Sequence, residues 1–408
     1  MTTIIPFRGI TYNPTVIPIA KVLAPPLETL TPERLPEFRE QHSKNITRMV
    51  YPENDASGAE SARLYRTWTA EKSFVREKNP VIYVVEQVFA TADEKQCRRR
   101  GFIALWKFAE QSVTMDPLLT QRLAWTIETG LWPAPLCALY NDPTRRIDRY
   151  LSYALRSVPA IDGTIDGVRT SVWKLNEGGA IAGIVRELKE KSVCVAGDGT
   201  DISLANALRT PSSLQTEPGV YDFVPVFFTN VAEPDFVDVP MHRVVTIHRE
   251  FSAETVRSSL EQAFTLTEIE DTNDWVLQLK GHGIRAIVIG FSGEQKKYLA
   301  VLKESVQDSD SDSGVPVRYA PAVFDGVVQT LFGENAGGEK TYEVRYYDDM
   351  EKVKSSLESD RTRIACFVNP VPSETVISAL STGLPVPKAV FDVYPRLPLG
   401  IVLHSFHE

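Results

Sequence analysis

The sequence predicts a mixed α/β fold in two lobes, on three observations. Short apolar runs rich in Val, Ile and Phe are punctuated by glycine and polar turns in the first half. Helical 3.6-residue patterns alternate with such runs later in the chain. One segment, Ser192 to Ala205, joins a strand, a glycine turn and a helix. At 408 residues the chain is long enough for two domains with sizeable cores. The expected boundary lies near residue 235, with an N-terminal lobe over 1–235 and a smaller C-terminal lobe over 236–408.

Along the first lobe, Thr31-Pro32-Glu33 opens a short helix through about Gln41, with Thr as cap and Pro in the first turn. Ser57 and Glu60 read as a capping box for a helix ending near Ser73, whose inner face carries Ala62, Leu64, Tyr65 and Trp68. Pro80 to Phe89 and Gly101 to Phe108 read as two strands joined by a polar turn. Arg98-Arg99-Arg100 follows Asp93-Glu94 in that turn and reads as a solvated basic run rather than a phosphate clamp. Ala134 to Tyr140 is a further strand. Arg145 to Arg156 is a helix with Ile147, Leu151 and Leu155 on one side. Strand Val168 to Leu175 and helix Gly179 to Lys191 lead into the glycine turn.

Thr210 to Pro218 is a Pro/Ser/Thr-rich loop, and Val220 to Val231 looks like a central strand. Strand Met241 to His248, helix Ser252 to Phe264 and helix Asp271 to Lys280 follow. Strands Ile284 to Phe291 and Tyr298 to Lys303 come next, then an acidic low-complexity loop, Asp308 to Gly314. Helices at Pro321 to Leu331, Asp348 to Leu357 and Ser373 to Ser381 surround a strand at Ile364 to Val368.

Composition excludes several classes of function. A net charge of −9 leaves no general surface for nucleic acid or anionic membrane, both of which need clustered Lys and Arg. No run approaches the ~18 apolar residues of a membrane span, and Met1 to Arg8 lacks a secretory layout. The four cysteines, Cys97, Cys137, Cys194 and Cys366, are dispersed, without a C-x-x-C pair. They suit free thiols in a reducing cytoplasm better than a disulfide framework or structural zinc. The expected partner is another protein or a small metabolite, and six tryptophans allow a homodimer.

The richest candidate site is the turn itself. Val193 to Ala196 reads as a buried strand that breaks at Gly197-Asp198-Gly199 and reopens as a helix from Asp201. That geometry aims backbone N–H groups and a helix dipole at an anion. Asp198 and Asp201 on the same turn could hold a cation or a transferable proton. Gly197 to Asp201 is similar to the metal-binding turn of haloacid-dehalogenase-like phosphatases, but that chemistry needs a nucleophilic aspartate in an upstream D-x-D strand end. Asp162 to Asp166 has the wrong spacing, and Asp308, Asp310 and Asp312 lie downstream in a loop. A glycine turn with an aspartate helix cap explains the same residues.

Other motifs carry less. The acidic loop approximates a calcium loop, but Ser313 takes the glycine position and Tyr319 the place of the bidentate Glu. Gly333 to Gly338 has no abutting strand and reads as a connection. His242 and His248 share one side of a strand, while His404 and His407 lack a third ligand for zinc. No G-x-S-x-G is present, so serine-hydrolase chemistry has no support.

Several segments in one order carry a resemblance. They are Pro6 to Tyr12, Leu23 to Glu28, Asn45 to Arg48, Tyr51 to Glu53, Pro240 to Val245, Phe367 to Pro370, and Pro387-Lys388 through Tyr394-Pro-Arg396 to Gly400. Together they resemble the bacterial domain-of-unknown-function family 1015. The family's D-G-H-H-R motif looks like the turn of the ParB/sulfiredoxin-like fold, which includes free serine kinases. The resemblance thus implies a ParB/sulfiredoxin-like N-terminal lobe and a phosphate-holding turn. Its Asp-Gly falls on Asp198-Gly199, but its His-His-Arg falls on Thr200, Asp201 and Ile202. A second motif, H-E-x-T, falls on Asp116 to Thr120 without the His and Glu, and P-P-Y-D becomes Pro25-Pro-Leu-Glu28.

Two expectations follow from different classes. In the first, the chain is a catalytically impaired or regulatory or binding paralogue of a phosphotransferase family. In the alternative it is a divergent Mg-assisted, nucleotide-dependent phosphotransferase. There Asp198 and Asp201 would hold Mg²⁺, and Glu28 would act as general base. Gly197, Gly199 and Thr200 would form the phosphate turn, with His242, Arg243, Lys388 and Arg396 around the nucleotide. Mg²⁺ and a nucleotide are cofactors only in that alternative.

Overall fold

A computed structural model describes residues 2–26, 29–52, 57–91, 94–107, 117–197, 199–209, 219, 221–270, 274–304, 319–333, 341–358, 362–382 and 391–407. The fold is mixed α/β, and the chain forms two compact units. Met1–Phe236 together with Pro395–Glu408 make the first, and Val237–Tyr394 make the second. Chain order is therefore first unit, second unit, then back to the first. Among the described residues no helix is long and apolar enough to cross a membrane.

The first unit begins with strands β1 (Thr3–Ile5) and β2 (Ile10–Tyr12) and helices α1 (Leu35–Gln41), α2 (Thr47–Val50) and α3 (Ala59–Ala70). Then come β3 (Phe74–Arg76), β4 (Ile82–Ala90), β5 (Gln96–Lys107), α4 (Pro117–Thr129), β6 (Leu131–Trp132) and β7 (Leu136–Tyr140). The unit continues with α5 (Arg146–Leu151), β8 (Ile161–Ile165), β9 (Val168–Leu175), α6 (Gly178–Lys189), β10 (Val193–Val195), α7 (Thr200–Arg209) and β11 (Phe223–Asn230). Its main sheet runs β10-β7-β11-β5-β4-β9-β8, with β1 paired to the last residues of β5. Only the β11–β7 pair among these is parallel.

Alternation along the strands sets the two faces of this sheet. Phe102, Ala104, Val226, Phe228 and Ala138 point into a core closed by Ile147 of α5, Ile184 of α6, and Leu204 and Leu208 of α7. Arg99, Ile103, Phe227 and Cys137 belong to the other set of positions. The tail lies on that side: Gln87 of β4 donates to the Arg396 carbonyl and Arg99 of β5 to the Pro395 carbonyl. Further along, Leu399, Ile401 and Leu403 are fully buried. Gly101 is required where β5 meets β11, because a Cβ there would lie 2.3 Å from the Phe228 carbonyl oxygen.

Several elements differ from the sequence expectation. Arg98 to Arg100 lie within β5 instead of a turn, because Gln96 to Ile103 pair residue for residue with β4. Arg99 is buried, so that run is not simply solvated. Asp162 to Asp166, noted only as a failed motif, fall in β8 and the turn after it, which leads into β9 through Asp166 (φ 47°) and Gly167 (φ 77°). Asp-Gly is the pair that a two-residue hairpin turn with both φ values positive favours. Helix α4 was not anticipated either, although Leu119, Leu123 and Ile127 repeat every fourth residue.

The second unit contains β12 (Asp238–Val239), β13 (His242–Ile247), α8 (Ala253–Leu260), β14 (Phe264–Ile269), α9 (Asp274–His282), β15 (Ala286–Phe291) and β16 (Lys297–Leu302). It is completed by α10 (Ala320–Phe332), β17 (Tyr342–Tyr347), α11 (Met350–Glu358), β18 (Arg363–Val368), α12 (Ser373–Thr382) and β19 (Asp392–Val393). Its sheet, β14-β16-β15-β18-β13-β17, is antiparallel throughout. Val256, Leu260, Phe324 and Val328 cover one face, and Trp275, Leu279 and Val353 cover the other. The helix expected to run to Phe264 stops at Leu260, and Phe264 starts a strand that pairs along β16. In the first unit again, β20 (His404–Ser405) pairs with β6.

Candidate anion-binding site

Strand β10 adds to the edge of the main sheet beside β7, with Cys194 opposite Leu139 and the Ala196 N–H donating to the Cys137 carbonyl at 2.9 Å. The chain then turns through Gly197 (φ 102°) and Gly199 (φ 85°), both left-handed conformations that suit glycine. The Arg396 guanidinium lies directly over Gly197, where a Cβ would come 2.2 Å from Nη2. Helix α7 starts immediately after, its Ser203 N–H bonding the Gly199 carbonyl at 3.0 Å. Leu204, Ala205 and Leu208 anchor the helix in the core. The turn is thus held from both ends.

Asp201, on the first turn of α7, receives Arg122 Nη2 on Oδ1 at 2.6 Å, with both side chains 22% exposed. Arg122 comes from α4, which packs along α7. These two residues, Arg396, Cys137, Phe227 and the Pro133–Pro135 run line a small cleft with a volume of about 30 Å³. Two guanidinium groups and one carboxylate therefore share one small space. The start of α7 adds its partial positive charge.

The residues singled out in the sequence fall into three groups. Asp201 and Arg396 line this cleft, with Gly197, Gly199 and Thr200 on the adjoining turn. Asp198, Glu28 and Lys388 lie outside the described residues. His242 and Arg243 sit in the core of the second unit, 2% and 1% exposed. His242 Nδ1 accepts the Val368 N–H at 3.1 Å, and burial first, then Arg243's charge, lowers its pKa to about 4. Arg243 bonds both oxygens of Asp325, donates to the Met241 carbonyl, and lies 5.3 Å over the Tyr346 ring. These contacts hold β13 to α10 and β17.

Asp201, the Mg²⁺ ligand of the alternative expectation, accepts the Arg122 guanidinium on Oδ1. Among the described residues no group of three His, Cys, Asp or Glu side chains is arranged for a metal ion. All four cysteines are free thiols. Burial first, and then neighbouring Cys137, pushes Cys194 up to about 12, so it rests as a protonated thiol at neutral pH.

A second ionic cluster lies where β7 and β11 end. Arg145 Nη2 meets Asp148 Oδ2 at 2.7 Å and Glu233 Oε2 at 3.1 Å. Burial, then the nearby Asp148 charge, raises Glu233 to about 7. Sequence reasoning missed Arg122, Cys137 and Phe227 of the cleft. Only the fourfold spacing of Leu119, Leu123 and Ile127 could have placed Arg122 on a helix.

Comparison with known proteins adds a family. The profile described as protein of unknown function (DUF1015) matches residues 4–319. Among solved structures, a conserved hypothetical protein from Pyrococcus furiosus is 12% identical, covering 71% of this chain and 84% of its own. Its TM-score of 0.30 is too low to relate the two folds. No curated protein matches the chain.

Proposed function

The chain belongs to the domain-of-unknown-function family 1015, and from that premise we propose that its cleft binds a small anionic metabolite in a regulatory or carrier role, without metal-assisted phosphotransfer. The observation that carries this is the Arg122–Asp201 pair lining one cleft with Arg396. A carboxylate bonded to guanidinium is a poor Mg²⁺ ligand. Metal binding would break a charge-assisted bond and leave a half-buried cation behind, a cost of about 1.5–3 kcal/mol. Arg122 and Arg396 give the site positive charge from outside the turn, where the family motif would carry His-His-Arg. The ParB/sulfiredoxin-like ancestry implied by that motif fits an anion held at a helix start. Four free thiols suit a cytoplasmic setting.

Titration calorimetry with inorganic phosphate and with ADP, each in EDTA and then in Mg²⁺, tests the proposal. Binding is expected without metal, weakening as salt rises. Arg396→Ala should lower affinity about tenfold or more, the scale of a charge-assisted bond. Two results would overturn the proposal. One is no anion binding under either condition. The other is Mg²⁺-dependent nucleotide turnover that Asp201→Asn abolishes.

A further inference from the structure

Arg99 is 1% exposed, and a charge so far removed from water is costly unless hydrogen bonds compensate it. In the β4–β5 ladder it stands directly opposite Gln87, and Gln87 stands opposite Thr170 of β9. Gln87 and Thr170 are also at most 1% exposed, so three polar side chains form one buried row across three strands. Arg99 Nη2 donates to the Gln87 Oε1 and to the Pro395 carbonyl. Gln87 Nε2 donates to the Arg396 carbonyl at 3.2 Å and to Thr170 Oγ1 at 3.3 Å. The carbonyls on both sides of the Arg396 Cα are thus fixed by this row. Arg99 also lies 5.4 Å over the ring of Phe227, which lines the cleft.

We propose that Arg99 is the positioning residue of the cleft: through Gln87 and the Pro395 and Arg396 carbonyls it holds the Arg396 guanidinium over Gly197, where an anion meets it. The assignment rests on the anion-binding reading of the cleft. An arginine side chain has four rotatable bonds, and a fixed backbone reduces the freedom it must lose on binding. The rest of the tail is anchored separately. Leu399 exchanges backbone hydrogen bonds with Ala24, and Leu403 does so with Ile10. Arg99 therefore acts locally at 395 and 396, and its replacement leaves the tail docked.

The test is phosphate calorimetry at low salt on the full chain and on Arg396→Ala, Arg99→Met and Arg99→Lys. Arg99→Met is expected to weaken phosphate about tenfold or more while its unliganded melting transition stays cooperative. Arg99→Lys, which keeps a charged donor but not the planar fork, is expected to recover affinity only in part. A merely structural role would lower the melting temperature of both variants and leave the affinity of the folded protein unchanged. If Arg99→Met does not fold, Gln87→Leu removes the donor to the Arg396 carbonyl and must weaken phosphate likewise. A crystal structure of the weakened variant should show Arg396 displaced from Gly197. Wild-type affinity in Arg99→Met and Gln87→Leu, with Arg396→Ala impaired, overturns the assignment alone. Wild-type affinity in Arg396→Ala overturns the reading of the cleft, and the role of Arg99 with it.

Discussion

Asp201 could be picked out from residue type and local spacing on a glycine turn, and Arg396 only through the Tyr-Pro-Arg segment that carries the family resemblance. What each carboxylate or guanidinium faces was not legible, because a local pattern does not name a partner 79 residues away, as Arg122 is for Asp201. Glu233 makes the same point with a measurable consequence. Its folded pKa of about 7 stands above the ordinary value of 4.5. The folded state therefore binds more proton between those values, and the contribution of Glu233 to stability falls as pH rises from 4.5 to 7. It is fully present below 4.5 and lost above 7. The decline is shared with the neighbouring group to which Glu233 is coupled. His242, held neutral with a pKa of about 4, opposes it: its contribution is lost as pH falls from 6.5 to 4. Melting temperatures of the parent and of Glu233→Gln from pH 4.5 to 8 separate the two. The variant should lose the decline above pH 4.5, and an unchanged decline would assign it elsewhere.

Elements with strong periodicity were legible, and strand Val168–Leu175 has the bounds its pattern predicts. Helices α6 and α10 lie within two residues of expectation. Misreadings came where short segments satisfy two patterns at once. Phe264-Thr-Leu-Thr-Glu-Ile269 ends a helical apolar stripe and also alternates as a strand, and pairing with β16 decides for the strand. Its fully buried residue is Phe264, whereas Thr265 beside it is exposed. Phe264→Ala should cost about 3–5 kcal/mol and Thr265→Ala less than about 0.5 kcal/mol, read from urea midpoints. Equal costs would mean that the register differs from the one described. Arg98 to Arg100 were misplaced for a related reason. Charge suggests solvent, but β5 continues through all three, and strand alternation turns Arg99 inward.

For the whole molecule, the return of Pro395–Glu408 to the first unit matters most. Leu399, Ile401, Val402 and Leu403 are fully buried there, and β20 pairs with β6. A chain ending at Tyr394 loses these contacts along with Arg396. Its first unit should melt without a cooperative transition and bind no phosphate, while the second unit keeps its antiparallel sheet and both helix layers. Circular dichroism and calorimetry on that truncated chain check both statements, and a cooperative, phosphate-binding product would contradict them. The mixed α/β class, most strands and helices, and the place of the glycine turn were determined by the sequence alone. Each rests on periodicity, capping and turn chemistry, which act over a few neighbouring residues. The cleft was decided only by tertiary structure. Its Arg122–Asp201 pair spans 79 residues, and the Gln87 and Arg99 bonds that hold the tail span 309 and 296. No short-range signal encodes such distances, so the turn first legible as a motif becomes a site only when the sheet brings α4 and the tail beside it.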